Sequence, residues 1–319
     1  MAVIQTHDLT KAYNVRGKPP FVALQSLDMA VEQGEIFGYL GPNGAGKTTT
    51  IRLLLDLIRP TAGTAQVMGY DVNADSLEMR RLVGFLPGEL NLWRNLTAAQ
   101  TVDYVAHVRG GDVPAQKRHA REIGERLNFD FSKRIREYST GNKRKLGLVL
   151  AMMHKPPLLI LDEPTTGLDP LLQHTFNAMM REVRDEGRTV FLSSHMLAEV
   201  QAICDRVGII RDGDMKAIER VDALTEAKFH WVTLQLREQA EPQILDGVAG
   251  VSDVSLHNSH TLRFRLTGEH DPLLRAISDY YVVRLETREP SLEEIFLTYY
   301  GNDEPESADP VTAEQKARR

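Results

Sequence analysis

Residues Gly41-Pro42-Asn43-Gly44-Ala45-Gly46-Lys47-Thr48-Thr49 fit the pattern G-x-x-x-x-G-K-[ST]. Glycines let the backbone bend so that its N–H groups converge on a polyphosphate; Lys47 then reaches the β- and γ-phosphates and the Thr48 hydroxyl serves Mg²⁺. Such a loop works only if its neighbours hold it. The apolar run Ile36, Phe37, Tyr39, Leu40 predicts a strand before it, and the spacing of Ile51, Leu54, Leu55 and Ile58 predicts a helix after it. That helix would aim the positive end of its dipole at the same anion. The plain alternative, a glycine-rich turn, lacks this strand-to-helix context. The pattern implies a nucleoside triphosphate as ligand.

Further candidates follow along the chain. Leu158 to Leu161 reads as a buried strand that delivers Asp162 and Glu163 at its end. At a strand end facing a ligand crevice, one carboxylate can serve Mg²⁺ while its neighbour polarises an attacking water; alone, the pair would read as a solvated turn. Asp169-Pro170 reads as an N-cap with proline at the first helical position, before a helix carrying Leu172, Phe176, Met179, Met180 and Val183. A strand over 189–192 leads to Ser193-Ser194-His195, placing His195 where it could contact the γ-phosphate. Tyr138-Ser139-Thr140-Gly141-Asn142 reads as a small-residue turn opening a helix from Lys143 to His154. Lys143, Arg144 and Lys145 read as solvated or paired cations rather than a nucleic-acid patch.

Composition narrows the class. A chain of 319 residues exceeds the size of a single growing core, so two domains are expected, and its formal charge of −6 argues against general nucleic-acid binding. No apolar stretch approaches the roughly 18 residues of a membrane span. One cysteine and an N-terminus without signal-peptide blocks point to the cytosol. Cys204, at core spacing with Leu197 and Val200, reads as packing. Residues 301–319 are polar and aperiodic and are expected to be a disordered tail.

The order of phosphate loop, YSTGN, LLILDEP, GLDP and SSH over residues 1 to about 220 resembles the ATPase subunit of ATP-binding cassette (ABC) transporters, nearest to the branch serving multidrug and antibiotic efflux. The resemblance implies an α/β P-loop core with a helical subdomain at about 89–155, and a soluble ATPase paired with a separate integral membrane permease at the cytoplasmic face. Two subunits, expected as a homodimer, would meet head to tail with ATP and Mg²⁺ clamped between them. Ser139 and Gly141 would complete the partner's site, and Tyr13 would stack on adenine; a simple exposed turn aromatic is the other reading of Tyr13. Asp162 would serve Mg²⁺, Glu163 the attacking water, Asp169 communication between subunits and His195 sensing of γ-phosphate. Tyr138, Thr140 and Asn142 depart from the usual LSGGQ, and Gly88 stands where the family has a glutamine, with Glu89 beside it. Trp93 reads equally as a docking anchor for the permease or as a core aromatic.

From Phe229 onward the pattern is strand (231–236), helix (242–248), strand (251–256), an Asn258-Ser259 turn, strand (261–266), helix (272–277) and strand (281–285). This order predicts a small α+β, ferredoxin-like domain over 221–300, closed by a helix whose capping box is Ser291 to Glu294. It carries no catalytic constellation, so regulation or dimer support is the expected role. The alternative for the whole chain is a soluble ABC ATPase acting on nucleic acid or ribosomes. Lys47 and Ser139 lie 92 positions apart, which leaves no room for a long coiled coil. A P-loop GTPase would need an Asp that Asn142-Lys143-Arg144-Lys145 lacks.

Overall fold

The computed structural model describes residues 1–14, 17, 19–222 and 229–288. The chain divides into two compact units, Met1–Val221 and Asp222–Arg319.

In the first unit, an antiparallel sheet has the order β2-β1-β4-β5, with β1 at Ala2–Tyr13, β2 at Phe21–Glu32, β4 at Ala62–Val67 and β5 at Tyr70–Asp71. A second sheet runs β10-β9-β3-β8-β7-β6, with β3 at Ile36–Leu40, β6 at Val83–Leu86, β7 at Leu158–Asp162, β8 at Thr189–Ser194, β9 at Arg206–Arg211 and β10 at Asp214–Arg220. All its pairings are parallel except the edge pair β9-β10. Every residue of β3, β7 and β8 is buried, which is why these strands read as unbroken apolar runs rather than alternating ones. Helix α1 (Lys47–Leu54) joins both sheets in one core: Ile51, Leu53 and Leu54 pack with Leu9, Leu27, Phe37, Ile160 and Phe191.

Helix α1 ends earlier than the spacing through Ile58 predicts. Asp56 adopts a left-handed conformation (φ 52°), and the Leu57 N–H turns back to the Arg52 carbonyl at 2.8 Å, a Schellman-type stop. Ile58 packs against the core from beyond that stop. The remaining helices are α2 (Ser76–Arg81), α3 (Ala98–Arg109), α4 (Val113–Arg126), α5 (Thr140–Met152), α6 (Pro170–Asp185) and α7 (Leu197–Ile203). Cys204 lies just past α7, buried and beside Gly38 of β3, which matches a packing role.

The second unit is an antiparallel sheet of order β12-β13-β11-β14, with β11 at Phe229–Leu236, β12 at Val251–Asn258, β13 at Thr261–Thr267 and β14 at Val282–Arg288. In chain order that is second, third, first, fourth, the ferredoxin-like arrangement. Its core sets Val232, Leu234, Phe264 and Leu266 against Leu245, Leu273 and Ile277. The first predicted helix is a single 3-10 turn, Pro242–Leu245, and the second is α8, Asp271–Ala276. The expected Ser291 helix and the 301–319 tail lie outside the described residues.

Candidate functional site

The phosphate loop connects β3, in the middle of the parallel sheet, to α1. Three glycines shape it for steric reasons. A Cβ on Gly41 would stand 2.3 Å from the Ile210 carbonyl, and one on Gly46 (φ 109°) would stand 2.7 Å from the Ala23 carbonyl. Gly44 has φ 85° with open space around it, so there the demand is conformational. Pro42, Asn43 and Gly44 form the exposed crest of the loop, Ala45 is buried, and Thr49 lies partly buried on α1.

Lys47 is buried at 6% exposure, and its Nζ donates to the Gly41 and Pro42 carbonyls at 2.6 and 3.2 Å. It also reaches Glu163 Oε1 at 3.3 Å. Thr48 Oγ1 donates to Asp162 Oδ2 at 2.9 Å, while Ser193 Oγ donates to Asp162 Oδ1 at 2.5 Å. Asp162 is buried at 2% exposure, so both carboxylate oxygens are held by hydroxyls rather than by water. Glu163 Oε2 faces His195 Nδ1 at 2.7 Å. Lys47, Thr48, Asp162, Glu163 and His195 thus converge where β3, β7 and β8 end. Tyr13, Ser139, Gly141 and Asp169 stand apart, with no hydrogen bond or ion pair to that cluster among the described residues. Tyr13 ends β1 at 36% exposure with Lys11 Nζ 5.2 Å from its ring centre, and Asp169 Oδ1 caps α6 through the Leu172 N–H at 3.0 Å.

The helix after Tyr138 starts three residues earlier than its composition predicts. Ser139 is the N-cap of α5, accepting from the Asn142 N–H at 3.3 Å, so the apparent turn is the helix's own first turn. Gly141 is small because of packing: its Cβ would lie 2.8 Å from the Gly167 carbonyl. Tyr138 is buried and donates to the Asp130 carbonyl at 2.5 Å; burial, then the charges of Asp130 and Glu137, push its hydroxyl up to about 12.

Three residues were not legible as functional. Arg144, expected to be solvated or paired with nearby acids, is instead buried and bound to backbone carbonyls at the Asp162–Glu163 strand end. Burial lowers its pKa from the usual guanidinium range, against the opposing pull of Asp162 and Glu163. Ser193 orients Asp162. Glu199 accepts from Ser194 at 2.6 Å and also from Thr165, linking the strand end before His195 to the turn before Asp169. Of the three, only Ser193 offered any signal, two positions before His195 at the end of the same strand.

Trp93 is half exposed, with its ring edge-on to Tyr104 at 5.0 Å, so the core-aromatic reading does not hold. It borders a cleft of about 370 Å³ also lined by Leu57, Phe85, Leu90, Val105 and Leu150. No helix among the described residues is long and apolar enough to cross a membrane.

The donor set suits a nucleotide and its ion. The glycine loop leaves room a Cβ would fill, and the Lys47 ammonium lies at its floor. Thr48 and Asp162 offer two oxygens to a Mg²⁺ ion, which takes its other ligands from phosphate and water.

Comparison with known proteins gives the same answer. Residues 24–166 match the ABC transporter family, and residues 225–300 match the C-terminal domain of DrrA1-3-like ATP-binding proteins. The chain is 31% identical over 312 residues to the linearmycin resistance ATP-binding protein LnrL of Bacillus subtilis (strain 168), covering 94% of this chain and 98% of that protein. It is 33% identical over 309 residues to the bacitracin transport ATP-binding protein BcrA of Bacillus licheniformis, covering 94% and 97%. Among solved structures, an ATP-binding subunit of an ABC transporter superposes with a TM-score of 0.64 at 29% identity, over 70% of this chain and 91% of that one. With that fold, that loop and those relatives, the chain belongs to the ATP-binding subunits of ABC transporters.

Proposed function

We propose that this chain binds ATP with Mg²⁺ and hydrolyses it as one of two ATPase subunits that drive a separate export permease from the cytoplasmic face of a membrane. The observation that carries the reading is the joining of phosphate loop and catalytic strand end: Thr48 to Asp162 at 2.9 Å, Lys47 to Glu163 at 3.3 Å, and Glu163 to His195 at 2.7 Å.

Each residue has a part in it. Backbone N–H groups of residues 41–46 and the Lys47 ammonium hold the phosphates, while Thr48 and Asp162 would hold Mg²⁺, whose charge offsets that of the phosphates when bound. Glu163 accepts a proton from the attacking water. His195, bonded to the same carboxylate, orients it and contacts the γ-phosphate. Tyr13 stacks on adenine. Ser139 and Gly141 engage the nucleotide held by the other subunit, and Asp169 lies at the seam between subunits. Because Ser139 and Gly141 meet that nucleotide only when two subunits close, ATP favours the closed pair; hydrolysis removes the cross-subunit contact and reopens it.

The cleft beside Trp93 lies between the helical region, proposed at about 89–155, and the segments around Leu57 and Phe85, and suits an apolar element of the permease. Relatives named for linearmycin resistance and bacitracin transport support export of drugs, antibiotics or other amphipathic compounds as the task. Residues 1–220 are assigned the ATPase, 221–300 an accessory domain that supports dimerisation or regulation, and 301–319 a tail.

The test has two parts. Purified protein should hydrolyse ATP only with Mg²⁺, and mild-detergent pull-down should recover a polytopic membrane protein. Absence of ATP affinity in the presence of Mg²⁺, or salt-sensitive association with nucleic acid in place of a membrane partner, overturns the reading.

A further inference from the structure

Arg144 stands five positions after Ser139, near the start of α5, yet its guanidinium is directed into the protein and is only 4% exposed. It ion-pairs with no carboxylate among the described residues. Instead it donates to five backbone carbonyls: Pro87 at 2.7 Å, Gly88 at 3.1 Å, Asp162 at 2.5 Å, Pro164 at 3.3 Å, and Glu163. Five donors in a rigid planar fork can gather several chain segments at once, which a lysine or glutamine cannot. Here the fork ties α5 to the loop after β6 and to the end of β7.

Two features make this tie more than packing. Glu163 has φ 51°, a left-handed conformation uncommon for a residue with a side chain. Its N–H is held by Ser193 and its carbonyl by Arg144 and the Thr166 N–H, so the guanidinium is one of the backbone fixtures that set from where the Glu163 carboxylate reaches Lys47 and His195. Gly88 is the second feature: it has no side chain to link its loop to the site, although a Cβ there would lie 3.0 Å from Asp162 Oδ2. Arg144 supplies a link through the Gly88 carbonyl instead.

We infer that Arg144 is a positioning residue that couples the two ATP sites of the closed dimer, transmitting engagement of Ser139 by the partner's nucleotide to Glu163 in its own site. The inference rests on the proposed function, in which Ser139 serves the opposite site and Glu163 its own. The N-cap and second turn of one helix carry the two contacts. Seating Ser139 sets the placement of the first turn of α5, and the guanidinium passes that placement to the Glu163 carbonyl and the Gly88 loop.

The test uses full-length protein and the variants Arg144→Gln and Arg144→Lys. For each, kcat, KM and the Hill coefficient for ATP are measured with Mg²⁺, together with direct ATP affinity and the thermal melt. Arg144→Gln is expected to lower kcat about 10- to 100-fold and bring the Hill coefficient toward 1, with ATP affinity held within about 2-fold. Arg144→Lys, which keeps the buried charge but not the fork, should recover part of both. Wild-type kcat and Hill coefficient in the variants overturn the inference. So does a loss of kcat matched by equal losses of ATP affinity and melting temperature, the signature of a merely structural role. Should Arg144→Gln fail to fold, Arg144→Lys decides alone: an intermediate Hill coefficient at unchanged ATP affinity supports coupling, and wild-type values overturn it. If the wild-type chain does not hydrolyse ATP, the proposed function falls instead, and that result is distinct from any behaviour of the variants.

Discussion

Glu163 lies between a buried ammonium and an imidazole, and this placement defines what its carboxylate can do. Lys47 Nζ stands 3.3 Å from one carboxylate oxygen, and His195 Nδ1, 2.7 Å from the other, fixes its orientation, which leaves the carboxylate placed to accept a proton from water. Replacing the basic oxygen by an amide keeps the shape and removes the acceptor. Glu163→Gln should therefore lower kcat about 10²- to 10⁴-fold, with ATP affinity kept, as measured by steady-state phosphate release beside a nucleotide-binding titration. Turnover near the wild-type rate would remove Glu163 from the role of base. The carboxylate pair after an apolar run was legible as sequence because aspartate and glutamate at a buried strand end need a reason to be there. Arg144 was not, because three consecutive cations look solvated until the helix phase shows that the middle one faces inward.

Among the elements, α3 and α5 illustrate how burying one imidazole beside a cation can set pH sensitivity. Arg109 closes α3 and donates to His154 Nε2 at 2.6 Å, just beyond the end of α5, and to the Val83 carbonyl at 3.2 Å. Burial, reinforced by the Arg109 charge, pushes the imidazole of His154 down to about 3 from an ordinary 6.5. Between those values the unfolded chain binds the proton and the folded chain does not, so stability is complete above the unfolded value and declines as pH falls below it. The decline attributable to this group is at most about 1.4 kcal/mol per pH unit. Urea unfolding at about pH 4.5 and about pH 7.5 should show a smaller difference for His154→Gln than for wild type; equal differences would mean the ring does not carry the effect. On the neighbouring surface, Trp93→Ala should weaken association with the permease about 10- to 100-fold while ATP affinity stays unchanged, checked by detergent pull-down and nucleotide titration. Intact association would move the docking surface elsewhere.

At the scale of the whole molecule, the site as proposed needs two chains, since Ser139 and Gly141 are assigned to the nucleotide of the other subunit and, among the described residues, make no hydrogen bond to the cluster around Lys47. Glu163→Gln supplied with ATP and Mg²⁺ should elute in gel filtration at twice the 35.9 kDa of a single chain, and removal of residues 221–319 should reduce that dimer or change its ATPase rate. A dimer and rate indifferent to the deletion would deny the second unit its supporting role. Much of this protein was determined by sequence alone: the phosphate loop, the Asp162–Glu163 pair, the Asp169-Pro170 cap and the succession of strands along the second unit are local patterns, set by backbone freedom, side-chain period and capping chemistry between near neighbours. Tertiary structure alone decided that Trp93 faces outward, and that Arg144, Ser193 and Glu199 hold the site. These depend on groups far apart in the chain, such as Thr48 and Asp162, whose contact exists only once β3 and β7 stand in the same sheet. Local order along a chain constrains its nearest neighbours strongly, but a buried hydrogen bond across a hundred residues is chosen by packing.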